Sequence, residues 1–230
     1  DPRLRSGIAK RMSQVFITIA IQAAVLYLAA GRLAWIWAWV FLGLNLLGIG
    51  INALIMLRHH PETLAERAEA TGMKDWDKII GILWSLMQFL FLLLVAGLDV
   101  RYGWTAPPPP LWVHLAGSVV FALGFALFSW AMITNAYFTA AVRIQTERRQ
   151  TVCHTGPYRC VRHPGYVGAI MQSLAIPFLL GSLWAFLPGV LAALLMVART
   201  AFEDRTLQAE LAGYADYARR VRYRLLPGIW

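Results

Sequence analysis

The sequence predicts an all-α integral membrane protein with about six hydrophobic helices, of which the last two form a short hairpin. Composition is the first reason, since 59% of the 230 residues are hydrophobic and only 14% are charged. A soluble domain carries about 25% charged residues. The second reason is that uncharged segments long enough to cross a bilayer recur along the chain. Together these observations exclude an ordinary soluble protein.

Four full spans are predicted in the first part of the chain, after a short basic tail at residues 1–11. Their predicted bounds are Met12–Gly31, Leu33–Leu57, Ile79–Leu98 and Leu111–Ile133. A mixed-charge loop, Arg58–Lys78, separates the second span from the third, and its segment PETLAERAEA predicts a short surface helix. The four consecutive prolines Pro107–Pro110 predict an extended loop before the fourth span.

A hairpin is predicted next, because residues 164–198 contain no charge. This run is too long for one helix and short for two full spans, and Gly181-Ser182 lies near its middle as a natural turn. We therefore predict two short helices, Gly165–Leu180 and Leu183–Ala198. The hairpin either crosses the bilayer or dips deeply into it.

The last part of the chain shows one apolar helical face. Apolar residues recur there at spacings of three and four, at Leu207, Leu211, Tyr214, Ala218, Val221 and Leu225. This pattern predicts an interfacial helix that lies against the membrane or packs on the spans, with Glu203 and Asp204 at its start. Arg199 precedes Glu203 by four residues, so both project from one face if the helix continues. The alternative is a snorkelling arginine followed by an acid at a helix start.

The positive charges predict the orientation. Nineteen of the 21 lysines and arginines lie in residues 1–11, 58–78, 134–163 and 199–230, and only Arg32 and Arg101 lie elsewhere. By the positive-inside rule, both termini and the loop at 134–163 face the cytoplasm. The formal charge of +9 is therefore a topology signal with attraction to anionic membrane lipids, and no nucleic-acid partner is predicted. Cys153 and Cys160 are too few for a disulfide scaffold and have no usual zinc spacing, so no metal site is predicted.

The stretch Thr155–Gly168, TGPYRCVRHPGYVG, holds the densest polar chemistry next to a membrane segment. Polar groups are costly at such a place, so they often serve function. From residue types alone, the stretch is either a cofactor-binding loop that enters a membrane helix or a basic cytoplasmic loop before an ordinary span. The sequence has no G-x-G-x-x-G, P-loop or G-x-S-x-G motif, which excludes a Rossmann-type nucleotide domain and the common serine hydrolases.

Four features together resemble a known family. GPYRCVRHPGYVG, a short hairpin, R-x-x-x-E-D-x-x-L and then G-Y-x-x-Y are similar to the isoprenylcysteine carboxyl methyltransferase family. That family belongs to a wider group of membrane methyltransferases that includes the phospholipid N-methyltransferases. The resemblance covers residues 134–230, and the family usually has two glutamates where this chain has Glu203-Asp204.

The resemblance implies a cytoplasmic site for S-adenosylmethionine and a division into N-terminal transmembrane helices (1–133) and a catalytic region (134–230). The residues that it implies as catalytic are Arg199, Glu203 and Arg162. Those that it implies as cofactor-binding are Gln150, Thr151, Val152, Thr155, Gly156, Tyr158, His163, Pro164, Tyr166 and Glu203. The expected reaction is carboxyl methylation of an isoprenylcysteine-like acid that enters from the bilayer.

Several alternatives remain open at this point. The acceptor could instead be a phospholipid amine or a small thiol. A reductase similar to the membrane sterol reductases would share a C-terminal pocket but bind NADPH. A non-catalytic membrane protein, such as a small transporter, would bind neither cofactor.

Overall fold

The computed structural model describes residues 2–59, 61–66 and 72–230, and this part of the chain consists of helices joined by turns and loops. The helices are α1 (Pro2–Ala30), α2 (Ile36–His59), α3 (Pro61–Glu66), α4 (Asp75–Ser85), α5 (Leu92–Tyr102), α6 (Leu111–Thr134), α7 (Pro164–Leu180), α8 (Phe186–Glu210) and α9 (Tyr214–Arg220). A π-helical turn, Leu86–Phe91, joins α4 to α5 into one continuous segment, Asp75–Tyr102. The predicted all-α membrane fold is confirmed.

Within the described residues, five helices are long and apolar enough to cross a membrane. They are Leu4–Ala30, Ile36–His59, Asp75–Tyr102, Leu111–Thr134 and Phe186–Glu210. The first four agree with the predicted spans, but the predicted basic tail is wrong because α1 already begins at Pro2. Its first turns are supported by packing, since Gly7 of α1 lies directly against Ala65 of α3.

The hairpin is less symmetric than predicted. The short helix α7 matches the predicted Gly165–Leu180, whereas α8 does not stop at Ala198 and continues to Glu210 over 25 residues. The charged residues Arg199 and Asp204 do not end this helix, because each finds an oppositely charged partner inside the protein. The helix therefore tolerates the charges that were expected to terminate it.

The predicted continuous interfacial helix at the end of the chain is also wrong. The chain leaves helical geometry at Leu211, and Gly213 follows with φ +80°, a value that glycine adopts without strain. The short helix α9 then turns back toward the loop before α7. The apolar side chains that suggested one face pack instead around Tyr158, Tyr214 and Tyr217. Tertiary packing thus overrides the helical period here.

The surface helix predicted from PETLAERAEA is present as α3 over Pro61–Glu66. The rest of that predicted helix, residues 67–70, lies outside the described residues. The four prolines at 107–110 form the non-helical connection that was expected before α6.

Helices α6 and α7 pack at very short range along their length. Glycines make this possible: a Cβ atom on Gly168 would lie 2.5 Å from the carbonyl oxygen of Gly124, and one on Gly117 would lie 2.4 Å from the backbone nitrogen of Leu179. Small residues let helix backbones approach closely inside membranes. The close contact fixes where α7 begins, and therefore where the polar stretch before it lies.

Hydrogen bonds fix the end of the hairpin at the turn between α7 and α8. Asp99 of α5 is 1% exposed and accepts hydrogen bonds from the backbone and hydroxyl of Thr105 and from the hydroxyl of Ser182. In the middle of the bundle, the Ser173 hydroxyl donates to Gln88 of the π-helical turn at 2.7 Å. Buried polar groups are stable in such surroundings when they are hydrogen-bonded. These contacts hold α7 and α8 against α5.

Candidate active site

A cavity of about 810 Å³ lies between the start of α7, the second half of α8 and the loop that precedes α7. Its polar lining includes Gln150, Arg162, His163, Tyr166, Arg199 and Glu203. Its apolar lining comes from membrane helices and includes Ile21, Ile82, Trp84, Leu86 and Phe89. The same cavity therefore has a polar wall and an apolar wall, the latter formed by the membrane helices.

Asp204 of α8 is the centre of the polar network beside this cavity. Its side chain is fully buried, and its two oxygens accept from Arg162 Nε at 2.7 Å and Arg162 Nη2 at 2.9 Å. Arg224 Nε and Gln208 Nε2 each donate to Oδ2 at 2.8 Å, and the Tyr214 hydroxyl donates to Oδ1 at 3.1 Å. This one carboxylate thus ties the loop before α7 to α8 and to the end of the chain.

The Arg162 guanidinium is held in place by the hydrogen bonds that it donates. Besides Asp204, it reaches the carbonyl oxygens of Val221 and Arg222 through Nη1, at 2.8 and 2.7 Å. Burial by itself lowers the pKa of Arg162, but the hydrogen bond and charge of Asp204 outweigh this effect and leave the pKa above its usual value. The guanidinium therefore stays positively charged in its buried position.

The backbone beside this guanidinium is also tied to the end of the chain. The N–H of Arg162 donates to the Tyr223 carbonyl at 2.9 Å, and the N–H of His163 donates to the Arg224 carbonyl at 3.0 Å. Backbone and side-chain contacts together thus fix the two residues that precede α7.

His163 and Tyr166 stand side by side at the start of α7. Their rings are parallel, with centroids 5.8 Å apart, and both line the cavity. His163 Nε2 lies 3.3 Å from Asp204 Oδ1 and 3.4 Å from the Tyr214 hydroxyl, so the ring is fixed by the same network. Pro164 at the first position of α7 starts the helix directly after the histidine.

Glu203 and Arg199 meet at Tyr166. The Tyr166 hydroxyl donates a short hydrogen bond to Glu203 Oε2, and the Arg199 guanidinium lies 5.5 Å from the centre of the Tyr166 ring. Glu203 Oε1 has no hydrogen-bond partner among the described residues, and the half-buried carboxylate lines the cavity. The continuous helix α8 places Arg199 and Glu203 one turn apart on this face.

Asp77 is a part of the site that sequence reasoning missed. It comes from the first turn of α4, is fully buried, and accepts from Arg199 Nε at 2.7 Å and from the Val142 backbone N–H at 2.7 Å. Arg199 Nη2 also donates to the Ala140 carbonyl at 2.7 Å. No sequence signal separated Asp77 from Asp75, which is exposed on the same turn.

The loop between α6 and α7 is organised by Gln145, which is 1% exposed. Its Nε2 donates to the Tyr137 carbonyl at 2.8 Å, and its backbone N–H donates to the side chain of Gln150 at 2.8 Å. Arg149 turns the chain with φ +51°. These contacts bring residues 150–153 to the cavity wall.

Three buried tyrosines close the side of the site formed by α9. The Tyr217 hydroxyl donates to the Tyr158 carbonyl at 2.7 Å, and the Tyr158 hydroxyl donates to the Ala131 carbonyl at 3.3 Å. Burial raises the pKa of Tyr158, Tyr214 and Tyr217 above the usual value, so all three remain neutral hydrogen-bond donors near neutral pH.

Comparison with known families agrees with this geometry. The model of the isoprenylcysteine carboxyl methyltransferase (ICMT) family matches residues 115–209, a segment that contains α7, most of α8 and the loop before them. Over this segment the chain is similar to the ICMT family. No curated protein matches the chain significantly. The resemblance inferred from the sequence is confirmed, and the match indicates a membrane methyltransferase.

Most of the residues that the ICMT resemblance implies are brought together. Those that line the cavity are Gln150, Thr151, Val152, Tyr158, Arg162, His163, Tyr166, Arg199 and Glu203. The other three, Thr155, Gly156 and Pro164, are not among its lining residues. Gly156 instead has φ +52° and packs against Thr134 of α6. The roles of all these residues, and the division at residue 133, stay predictions.

Proposed function

We propose that this chain is an S-adenosylmethionine-dependent integral membrane methyltransferase that acts on a lipophilic substrate. The observation that carries the proposal is the Glu203 carboxylate, held by Tyr166 in a cavity that also reaches hydrophobic helices. The ICMT family match over the same residues supports it.

The residues present fit the methyl donor in size and charge. A cavity of about 810 Å³ is within the usual range for cofactor sites, about 300–1,000 Å³. The free oxygen of Glu203 and the ring of Tyr166 suit a cation, because carboxylates and aromatic faces both attract positive charge. When bound, S-adenosylmethionine supplies a methyl group on a positively charged sulfur.

The chain's own residues would act mainly by placement. Methyl transfer is an in-line displacement, in which one bond to the methyl carbon forms as the bond to sulfur breaks, so alignment and exclusion of water supply most of the acceleration. His163 and Tyr166 are fixed by Asp204 and Glu203 respectively and give the cavity a rigid wall. Arg162, proposed from sequence as catalytic, is here proposed as a residue that positions this wall, since its donors are engaged with Asp204 and two carbonyls.

The acceptor that we propose first is an isoprenylcysteine-like acid. A carboxylate needs no base, and the apolar lining from α1, α4 and the π-helical turn would receive a lipid chain from the bilayer. A phospholipid amine would have to lose a proton, and a thiol would react as its thiolate. For those acceptors the free oxygen of Glu203 would take the proton.

We propose that both termini and the polar end of the cavity face the cytoplasm. Nineteen of the 21 lysines and arginines lie in segments that this orientation places there. The soluble methyl donor would then enter from the cytoplasm, and the lipophilic acceptor would enter sideways from the membrane.

Calorimetric binding of S-adenosylhomocysteine to detergent-purified protein tests the proposal. We expect binding by the wild type, and weakening of about tenfold or more in His163→Ala, because the ring lines the cavity. His154→Ala is the matched control, since His154 is exposed, does not line the cavity and makes a hydrogen bond to the Val152 carbonyl of its own loop. Thermal melting of each variant checks that the fold is retained.

The same titration with NADPH distinguishes the proposed methyltransferase from the main alternative, a reductase. Binding of NADPH without S-adenosylhomocysteine would favour a reductase and overturn the proposed function. If neither compound binds, the cavity is not a site for either cofactor. Once binding is established, transfer of a labelled methyl group to an S-farnesylcysteine acid, to phosphatidylethanolamine and to a small thiol identifies the acceptor class.

A further inference from the structure

Asp77 belongs to the part of the chain that the family match at 115–209 does not reach. It is nevertheless joined to the cavity wall, because its carboxylate binds Arg199 of α8 and the Val142 N–H of the loop before α7. A fully buried carboxylate is costly unless it is paired and hydrogen-bonded, and here both of its oxygens have partners. The buried Asp77 carboxylate is therefore fully paired by Arg199 and Val142.

Arg199 has two carboxylates within its reach. Glu203 lies one helical turn further along α8, at the i+4 spacing where opposite charges commonly pair. Both residues also contact Tyr166, Arg199 over its ring and Glu203 at its hydroxyl. In the described part of the chain, however, Arg199 makes its ion pair with Asp77 and none with Glu203.

We propose that Asp77 is a positioning residue for methyl transfer: by holding Arg199, it leaves the negative charge of Glu203 available to a cation in the cavity. This inference rests on the proposed function, because the cation is the sulfonium of the methyl donor. Tyr166 does not neutralise Glu203, since it donates a hydrogen bond without adding positive charge. Asp77 thus keeps Arg199 from forming a direct ion pair with Glu203.

Loss of the Asp77 charge should redirect Arg199. In Asp77→Asn the shape of the side chain is kept, but the buried guanidinium loses its counter-ion. Glu203 is the next carboxylate on the same helix face, so Arg199 turns to it and cancels its charge. The cavity then loses its attraction for a positive ligand while keeping its shape.

The affinities of two ligands that differ in charge measure whether the Glu203 charge is available. S-adenosylmethionine carries a positive sulfur, and S-adenosylhomocysteine is the same molecule without the methyl group and its charge. We measure the dissociation constants of both by calorimetry, without an acceptor, and take their ratio. We expect the preference for S-adenosylmethionine to fall about tenfold in Asp77→Asn. Asp75→Asn is the control, since Asp75 is 94% exposed on the same turn and pairs with Lys78, so its ratio should not change.

A double variant distinguishes positioning from simple structural support. In Asp77→Asn/Arg199→Gln both charges are removed, Glu203 is again uncompensated, and the preference for S-adenosylmethionine should return. If Asp77 only supports the fold, Asp77→Asn weakens both ligands equally and the double variant is no better. That result overturns the inference. If Asp77→Asn does not fold but the double variant folds and prefers S-adenosylmethionine, the inference is still supported. If neither variant folds, the inference is overturned.

The outcomes also separate this inference from the proposed function. If the wild type binds neither ligand, the proposed function fails, and this inference fails with it. If the wild type binds both ligands and Asp77→Asn keeps the wild-type ratio, only the role of Asp77 is lost.

Discussion

Two neighbouring acids on α8 have different surroundings. Asp204 is fully buried and is bound by Arg162, Arg224, Gln208 and Tyr214, whereas Glu203 is half-buried and shares one oxygen with Tyr166. Successive residues of a helix point about 100° apart, so one faces the loop and the end of the chain while the other faces the cavity. The shorter side chain of Asp204 thus belongs to the scaffold of the site, and Glu203 belongs to the cavity.

Asp204→Asn should destabilise the protein strongly. The change leaves Arg162 and Arg224 without their common counter-ion, and breaking a buried ion pair costs about 3–5 kcal/mol of unfolding free energy. Thermal melting in detergent measures the loss. Asp216→Asn is the control, because Asp216 is exposed and, among the described residues, forms its ion pair with Arg219 of the same short helix α9. Equal melting temperatures for the two variants would contradict the scaffold role of Asp204.

At the scale of elements, the contact of α6 with α7 determines the position of the site. The backbones of Gly124 and Gly168 touch, so the start of α7 cannot move away from α6 without opening the bundle. Gly168 lies only two residues after Tyr166, which connects helix packing directly to the cavity wall.

Gly168→Ala should therefore affect both stability and ligand binding. Its Cβ atom would lie 2.5 Å from the Gly124 carbonyl oxygen, and overpacking of this kind costs about 1–3 kcal/mol. We expect a lower melting temperature and weaker binding of S-adenosylhomocysteine. Gly43→Ala on α2 is the control, since a Cβ atom there meets nothing within 4 Å and should leave stability unchanged or slightly raised. A Gly168→Ala protein as stable as Gly43→Ala would show that the helices separate freely.

At the scale of the whole molecule, the ion-pair networks lie at one end of the bundle and the Asp99 network at the other. Arg162 precedes the first residue of α7, and Ser182, which donates to Asp99, follows its last turn. A hairpin made of α7 and α8 after four spans returns the chain to the side where it began, which agrees with the proposed cytoplasmic position of both termini.

Cysteine labelling tests this orientation. Cys160 is free and exposed in the loop before α7. Because the proposed topology places this loop in the cytoplasm, a membrane-impermeant maleimide should label Cys160 only after intact cells are permeabilised. The converse variant replaces Cys153 and Cys160 by serine and the exposed Ala106 by cysteine, on the opposite connection. It should be labelled in intact cells. The reverse pattern of labelling would invert the proposed topology.

The sequence predicted the features that depend on composition and on local pattern. The first four spans, the turn at Gly181 and the cluster around His163, Tyr166 and Glu203 follow from uncharged length, turn residues and family motifs. The course of the chain after Leu211 did not follow, because its helical period is overridden by packing against Tyr158. Asp77 was missed because its partner Arg199 is 122 positions away, and local pattern carries no information about such a contact.

The short length of α7 has a consequence for the charges at its start. Its 17 residues span about 25 Å, less than the roughly 30 Å hydrocarbon thickness of a bilayer. The first turn of α7 is therefore recessed below the headgroups when its other end reaches the opposite surface. Dissolved ions screen exposed charges over about 10 Å at ordinary ionic strength, but they penetrate poorly into such a recess. Arg162 and Asp204, just before this turn and on α8, are in addition buried inside the protein, with side chains 6% and 0% exposed, so their attraction depends little on the salt content of the surrounding solution.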